Sequence, residues 1–425
     1  MRRILAQAAL LALVPLAGCT HAERVTSSSA PHDAALRTAL QQLVDTHQMP
    51  GATAIVMKDG KILADETVGW LDVEKHRPLP RNAIFRLYSM SKPITSVAIM
   101  MLAEQGKLAL DDPAEKYLPE FHDMRVYVSG TVDNMVTEPV KRPITIADLL
   151  THTSGITYHF TSNTPVHQYY RKYGVMRDTP VGRTPQDGPP ARSLDELVER
   201  IGKAPMLHQP GPPFSYSYST TMLGAVIERV TGKTLDKALD DMLFTPLGMK
   251  DAGFFISDAQ LPRFTTLYSA TADGIEPVEQ PETSDYRDHG RLLDGGGAIA
   301  ATADGYLRFA QMLANGGILD GHRYLKEASV DAMFTPRVPL SGLGPESMQF
   351  GYGFSIGDAA SEAAGTQPAG TASWSGSGNT YFFVDRSKHA VALLMTHELT
   401  SGASAARTAT FRAVLNRAAN RLIGD

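Results

Sequence analysis

Residues 85–93, which read FRLYSMSKP, decide the fold, because they place a serine and a lysine three residues apart where a helix begins. Residues three apart on a helix share a face, so the side chains of Ser89 and Lys92 can touch. Pro93 suits an early helical position, and an apolar stripe with helical spacing follows over residues 94–102. The pair is therefore a candidate activated nucleophile; a helix-capping serine beside a solvated lysine is the alternative.

Length and charge limit the classes of protein to consider. The chain has 425 residues, of which 43% are hydrophobic, enough to bury a large core in one domain or in two closely packed ones. Its 40 Lys and Arg residues nearly balance 45 Asp and Glu residues, and no basic block occurs, so nucleic acid is not an expected partner. No paired-histidine spacing typical of metal sites occurs, so we predict no metal site. A reaction carried out by a serine nucleophile would need no cofactor, so none is predicted.

The N-terminus predicts export. Residues 1–18 contain two arginines and an apolar run too short to span a bilayer, which is typical of a signal peptide. The ending LAGC at residues 16–19 resembles the lipobox of bacterial lipoproteins, which implies lipidation of Cys19; a plain signal peptide is the alternative. Residues 19–32 are polar and predict a flexible tether. The resemblance implies a periplasmic, lipid-anchored protein. The outer membrane is favoured because the residue after the cysteine is Thr20 and not aspartate, which is the usual inner-membrane retention signal in such lipoproteins.

Patterns near both chain ends predict strands that share a sheet. Asp59-Gly60 separates two strand-like runs, and residues 385–388 separate two others, so each marks a β-hairpin. Apolar stripes predict a helix near residues 36–44 and another near residues 411–422. We therefore expect an α/β fold of the α+β type, with one antiparallel sheet built from both chain ends and flanked by helices.

Residues 33–425 are expected to form one domain with two lobes. The sheet lobe takes about 33–85 and 295–425, and a helix-rich lobe takes about 86–294. Within the second lobe, residues 159–192 are rich in Pro, Gly, Tyr and Arg and lose apolar periodicity. We expect a long surface excursion there, which is either a lid over a substrate pocket or a disordered segment.

Three further motifs strengthen the interpretation of Ser89. They are ITIADLLTHTSGI at residues 144–156, the segment 210–224 that contains YSY at residues 216–218, and GGGA at residues 295–298. Together with the Ser-Lys pair, in this order, they make the chain similar to the serine β-lactamase and penicillin-binding-protein superfamily. Within it, the chain most resembles class C β-lactamases and family VIII carboxylesterases, and the resemblance covers nearly the whole length after the tether.

The resemblance implies roles for the site residues. Ser89 is the expected nucleophile, Lys92 its proton acceptor, and Tyr216 the general base and acid. The stretch WSGSG at residues 374–378 corresponds to the lysine-threonine-glycine strand of the lactamases. In that correspondence, the backbone N–H groups of Ser89 and Ser377 form the oxyanion hole.

Four residues are expected to bind substrate: Tyr218, Trp374, Ser375 and Gly376. Tyr218 occupies the place of the family's asparagine, and Trp374 that of its lysine, although Trp374 could instead be a core aromatic. Both changes exchange a polar group for aromatic surface, which favours an uncharged ester with an apolar acyl or aryl part over a penicillin carboxylate.

We therefore expect a serine hydrolase that forms an acyl-enzyme, a carboxylesterase acting on short-acyl or aryl esters, with weak lactam hydrolysis from the shared acylation chemistry. One alternative is a class C-like β-lactamase or D-alanyl carboxypeptidase; the other is a non-catalytic binding lipoprotein. The expected partners are a small-molecule ester or lactam and, through the lipid on Cys19, a membrane. The sequence does not predict an oligomeric state.

Ser355, His152 and His397 are further candidates for a nucleophile or a base. GFSIG at residues 353–357 matches the G-x-S-x-G elbow of α/β-hydrolases, but no apolar helical stripe follows it, so Ser355 is expected to be a strand serine. His152 is expected to be a buried, hydrogen-bonded residue in a structural turn. His397 follows the last predicted strand, where it could face the site.

Overall fold

The computed structural model describes residues 31–179, 184–340, 342, 348–399 and 405–424. The predicted signal peptide, the lipidation site Cys19 and most of the predicted tether lie outside the described residues. The lipid anchor and the periplasmic location therefore stay predictions. Within the described ranges, no helix is both long enough and apolar enough to cross a membrane.

The helices and strands are numbered in chain order. The strands are β1 Gly51–Lys58, β2 Lys61–Asp72, β3 Arg77–Pro78, β4 Ile84–Arg86, β5 Arg125–Thr131, β6 Asn134–Pro139, β7 Leu267–Ala270, β8 Ile275–Glu279, β9 Ala300–Thr302, β10 Ile318–Leu319, β11 His322–Arg323, β12 Val338–Pro339, β13 Gln349–Phe350, β14 Ser355–Ile356, β15 Ala372–Ser375, β16 Tyr381–Asp385, β17 Ala390–Thr396 and β18 Glu398–Leu399. The α-helices are α1 Ala34–Asp45, α2 Ser91–Glu104, α3 Ile146–Leu150, α4 Pro165–Lys172, α5 Leu194–Lys203, α6 Ser219–Thr231, α7 Leu235–Leu239, α8 Thr245–Leu247, α9 Ala303–Ala314, α10 Glu327–Phe334, α11 Ala359–Ala363 and α12 Ala405–Ile423.

A nine-stranded sheet in the order β12-β13-β14-β15-β16-β17-β1-β2-β3 forms the centre of the fold. Its two predicted hairpins, β1–β2 and β16–β17, lie side by side, because β1 pairs with β17 in antiparallel register. Thr53, for example, lies opposite Met395. The prediction of an antiparallel sheet built from both chain ends is therefore confirmed.

The sheet is buried on both faces. In β1, Ala54 and Val56 belong to a core cluster with residues of α1 and α12, whereas Ile55 and Met57 belong to the cluster that contains α9 and α2. This alternation follows from the two-residue period of a strand. The helices α1 and α12 thus cover one face of the sheet, and α2 and α9 lie on the side of the opposite face.

Among the described residues in the middle of the chain, more residues lie in helices than in strands, and two features differ from expectation. This part of the chain contains two hairpins that the sequence did not predict, β5–β6 and β7–β8. The expected surface excursion at residues 159–192 is wrong in part, because it contains α4, whose Val166, His167 and Tyr170 are buried. The buried histidine is held by hydroxyl groups, among them Thr164, so a polar residue interrupts the apolar pattern. Pro31–Asp425 form one compact unit, and the division into lobes stays a prediction.

Glu398 in β18 is a buried carboxyl group with an unfavourable environment. Its side chain is fully buried, and among the described residues neither carboxyl oxygen has a hydrogen-bond partner. The Nη1 atom of Arg407 lies 3.8 Å from Oε1. Burial raises the pKa of Glu398 from its ordinary value of 4.5 to about 7, with Arg407 opposing part of that rise. The ionised form is therefore the costly one.

We expect Glu398→Gln to reduce the loss of stability between about pH 5 and pH 8. Because the folded-state pKa of Glu398 exceeds the unfolded one, the native state binds the proton more tightly, and the free energy of unfolding falls as pH rises from about 4.5 to about 7. At about pH 8, ionised Glu398 should cost roughly 2 to 3 kcal/mol. Urea denaturation at both pH values measures this. Glu276→Gln, at an exposed position, is the control, and an equal fall in all three proteins would contradict the assignment.

Candidate active site

Ser89 lies in a sharp bend between β4 and α2. It is part of the single helical turn Tyr88–Met90, directly before Ser91 begins α2. Tyr88 has a φ of +46°, in the left-handed region that residues other than glycine seldom adopt. The bend is held by a 2.9 Å hydrogen bond from the Leu87 N–H to the Ile299 carbonyl. A strained residue next to a serine is typical of a functional position.

Lys92 contacts the nucleophile, as its three-residue spacing predicts. The side chain of Lys92 is fully buried, and its Nζ donates to Ser89 Oγ at 3.2 Å and to the Gly296 carbonyl at 2.7 Å. Hydrogen-bonding partners are what a buried amine requires. The amine is therefore fixed against Ser89 by a loop that the chain supplies about two hundred residues later.

Tyr216 completes the arrangement. It lies just before α6, and its hydroxyl donates to Ser89 Oγ at 2.6 Å. Its ring packs against His152 at 5.1 Å and Trp374 at 5.7 Å between ring centres, and Lys92 Nζ lies 4.7 Å from the ring centre. The structure thus brings together Ser89, Lys92 and Tyr216, which were predicted to be the nucleophile, the proton acceptor and the general base and acid.

The imidazole ring of His152 packs against the ring of Tyr216. The side chain is fully buried, and Nδ1 lies 3.0 Å from Ser217 Oγ. Burial, with a smaller effect from Lys92, lowers the pKa of His152 well below its ordinary value, so the imidazole is neutral. A neutral ring in contact with Tyr216 acts as packing, in agreement with the structural role expected for His152.

Asp294 fixes the loop that holds Lys92. Its Oδ1 accepts hydrogen bonds from the Gly296 N–H at 2.7 Å and from Thr221 Oγ1 at 2.6 Å, and Arg177 Nε lies 3.5 Å from Oδ2. The glycine run at residues 295–297 is visible in the sequence, but the role of Asp294 was not predicted from it. An aspartate directly before glycines, where its side chain can bond the backbone two residues on, was the available signal.

We expect Asp294→Ala to lower kcat about 10- to 100-fold more than Asp294→Asn does, the size of two hydrogen bonds at a buried position. Both variants leave Arg177 without its carboxylate partner, so the difference between them reports the loop alone. The asparagine Oδ1 can still accept from Gly296 and Thr221. Steady-state kinetics of the two variants measures this difference, and thermal unfolding checks that both are equally folded. Equal kcat values in the two variants would contradict the role assigned to Asp294.

A cavity of about 290 Å³ contains the nucleophile. Ser89 and Tyr216 line it together with four residues that were predicted to bind substrate or to form the oxyanion hole: Trp374, Ser375, Gly376 and Ser377. Glycine is required at 376, because a Cβ there would lie 2.1 Å from the Leu87 carbonyl oxygen. This close approach brings the end of β15 against the bend that holds Ser89. The roles of these four residues stay predictions.

Comparison with known proteins agrees with this geometry. Residues 36–417 match the family model described as Beta-lactamase. The chain belongs to the β-lactamase family. It is 33% identical over 401 residues to esterase EstB of Burkholderia gladioli, covering 89% of this chain and 94% of that protein. It is 31% identical over 379 residues to protein Rv1367c of Mycobacterium tuberculosis, covering 84% and 88%.

A solved structure also shows that the chain has the β-lactamase fold. EstCE1, described as a hydrolase with promiscuous acyltransferase activity, superposes with a TM-score of 0.75 at 26% identity, covering 90% of this chain and 97% of that chain. The resemblance to the superfamily and its family VIII esterases is therefore confirmed, as is the β-lactamase-like fold. The protein is a serine hydrolase of the β-lactamase family.

Two other candidate residues, Tyr218 and His397, are not among the residues that line the cavity containing Ser89. The expected place of Tyr218 at the pocket wall is not observed, because its ring is buried, packs 4.4 Å from the Tyr158 ring centre, and its hydroxyl lies 2.8 Å from His159 Nδ1. His397 packs between Phe85 and Tyr268, and burial lowers its pKa to about 3.

Ser355, the serine of the G-x-S-x-G match, is a strand residue in β14, as expected. Its Oγ donates to Gln367 Oε1 at 2.8 Å and lies 2.9 Å from Ser373 Oγ. Those partners are not bases, so within the part of the chain that the structure describes, Ser355 has no hydrogen-bonded neighbour that could activate it as a nucleophile. Arg412 of α12 also lines the cavity and was not predicted from the sequence as a site residue.

Proposed function

We propose that the protein is a carboxylesterase that hydrolyses esters of short acyl or aryl groups through an acyl-enzyme on Ser89. The observation that carries the proposal is the hydroxyl of Ser89 held between two proton-transfer groups, at 2.6 Å from the Tyr216 oxygen and 3.2 Å from Lys92 Nζ. The similarity to esterase EstB over nearly the whole chain supports an ester as the substrate.

The reaction follows from these contacts. In the reactive state, either Tyr216 or Lys92 is deprotonated and accepts the Ser89 proton while Oγ attacks the ester carbonyl carbon. The carbonyl oxygen becomes an oxyanion, which the N–H groups of Ser89 and Ser377 would stabilise. The carbon–oxygen bond to the alcohol then breaks, and the departing alkoxide takes the proton back. Water repeats the sequence on the acyl-enzyme, releases the acid and restores Ser89.

The cavity wall supports an ester substrate. The position that corresponds to the lactamase lysine is Trp374, whose ring packs at 5.1 Å from Phe350 and is nearly buried. Leu340 and Met348 line the same cavity. An apolar wall of this kind favours an apolar acyl or aryl group.

A substrate comparison tests the proposal. Purified protein is offered p-nitrophenyl butyrate, nitrocefin and a D-Ala-D-Ala peptide, and intact-protein mass spectrometry follows the butyryl-enzyme. We expect the highest kcat/KM for the ester and a butyryl group on Ser89. A higher kcat/KM for nitrocefin or for the peptide would identify a β-lactamase or a peptidase instead, and the absence of turnover and acylation with all three would identify a binding protein.

A further inference from the structure

A cation lies inside the active-site cavity and has no part in the acylation chemistry. Arg412 projects from α12, is half-buried, and lines the same cavity as Ser89 and Tyr216. Its Nη2 donates to Ser375 Oγ at 2.7 Å, and its guanidinium carbon lies 5.2 Å from the centre of the Tyr381 ring. The group is thus oriented by a hydroxyl and an aromatic ring.

The half-buried guanidinium group of Arg412 differs in its partners from three arginine side chains that have little exposure. Arg86 pairs with Glu279, Arg177 with Asp294, and Arg291 with Asp285. Among the described residues, no Asp or Glu oxygen lies within 4.0 Å of the Arg412 nitrogens. Since buried charges are normally paired, a missing carboxylate in a substrate cavity points to one supplied by the substrate.

The neighbouring polar groups are already occupied. Gln367 Oε1 accepts from Ser355 and Ser373, and Gln367 Nε2 donates to the Ser355 and Thr371 carbonyls. These side chains satisfy one another and do not compensate the charge. Arg412 lines this cavity, and among the described residues its one hydrogen bond is to Ser375. Its other N–H groups can therefore bind a ligand, and a planar guanidinium binds a carboxylate well.

We propose that Arg412, oriented by Ser375, binds a carboxylate on the substrate, so that the preferred esters carry a free carboxylate besides the scissile bond. This inference rests on the proposed function, because it concerns the same cavity. The apolar wall at Trp374 and the cation at Arg412 would then contact two parts of one substrate. The sequence analysis favoured a fully uncharged ester because the family lysine is missing; under this proposal a different residue, Arg412, would bind the negative charge.

Two pairs of esters test the proposal, one for each side of the scissile bond. The acyl-side pair is mono-p-nitrophenyl glutarate and its methyl ester; the alcohol-side pair is 4-acetoxybenzoate and its methyl ester. Rates measured with Ser89→Ala are subtracted to remove spontaneous hydrolysis. We expect a higher kcat/KM for the carboxylate member in at least one pair. Ser89-dependent turnover of the methyl esters reports the proposed function by itself, so its failure is distinguishable from a failure of this inference.

Variants assign the preference to Arg412. Arg412→Gln should lower the carboxylate-to-methyl-ester ratio of kcat/KM by about 10- to 100-fold, as expected for one charged hydrogen bond, and Arg412→Lys should retain part of the ratio. Arg417→Gln, which removes an exposed arginine from the same helix, is the matched control and should keep the wild-type ratio.

If Arg412→Gln does not fold, competitive inhibition of the wild type replaces it. Glutarate should then inhibit methyl-ester turnover more strongly than dimethyl glutarate does, and less strongly as the salt concentration rises. The inference is overturned if neither pair shows a carboxylate preference, if the ratio survives in Arg412→Gln, or if glutarate and its dimethyl ester inhibit equally.

Discussion

Replacement of Ser89 by alanine is expected to lower kcat/KM for p-nitrophenyl butyrate by about 10⁴- to 10⁶-fold, in the range found when a serine nucleophile is removed from a hydrolase. The hydroxyl of Ser89 is the atom that both Tyr216 and Lys92 contact, so neither neighbour can act on the ester without it. Labelling by a fluorophosphonate probe should disappear together with turnover. Hydrolysis rates and in-gel detection of the probe measure the two effects.

Ser355→Ala is the matched control for this loss. Ser355 lines the same cavity and has a nucleophile-like sequence around it, but among the described residues its hydroxyl bonds only to Gln367 and to Ser373. We expect this variant to keep most of its activity and all of its labelling. Full activity in Ser89→Ala, or loss of labelling in Ser355→Ala, would transfer the nucleophile role and contradict the mechanism.

Tyr216→Phe is expected to lower kcat by about 10²- to 10⁴-fold, the contribution of a positioned general acid or base. The change removes the hydroxyl that donates to Ser89 at 2.6 Å and keeps the ring that packs against His152 and Trp374. KM should therefore change little. Stopped-flow measurement of p-nitrophenolate release shows whether acylation or deacylation slows.

Tyr158→Phe is the control for the loss of a tyrosine hydroxyl. The Tyr158 ring lies 5.1 Å from that of Tyr216 and 5.4 Å from Lys92 Nζ, so it occupies the same aromatic surroundings. Its hydroxyl has no assigned step, and we expect kcat to stay within about 10-fold of the wild type. A loss in Tyr158→Phe as large as that in Tyr216→Phe would show that the surroundings, and not the hydroxyl of Tyr216, matter.

Local patterns predicted the parts of the molecule that local physics determines. Ser89 and Lys92 contact each other because three residues on a helix bring side chains to one face. The turn at Asp59-Gly60 and the alternation of the strands around it specified the β1–β2 hairpin. The meeting of Tyr216 with Ser89 came from the family resemblance, since nothing local connects residues so far apart.

Residues whose environment is tertiary were not predictable in this way. Tyr218 differs from Tyr216 by two positions, yet it is buried beside Tyr158 and His159 because the segment before α4 packs against it. In the sequence, Arg412 is one more polar residue on an amphipathic helix. Its place in the cavity depends on how α12 lies against β15, which the helical period alone does not specify.

The pairing of β1 with β17 joins two segments that lie near opposite ends of the chain, so the structure around the active site is complete only after both have been made. During synthesis, Gly51–Lys58 and the bend at Ser89 emerge early, but the neighbouring strand Ala390–Thr396 and the wall formed by β15 are made only near the end. Contacts so distant along the chain form slowly. A fragment that stops before β15 would therefore contain Ser89 but lack Trp374, Ser375 and the strand β17, so we expect it to have no esterase activity.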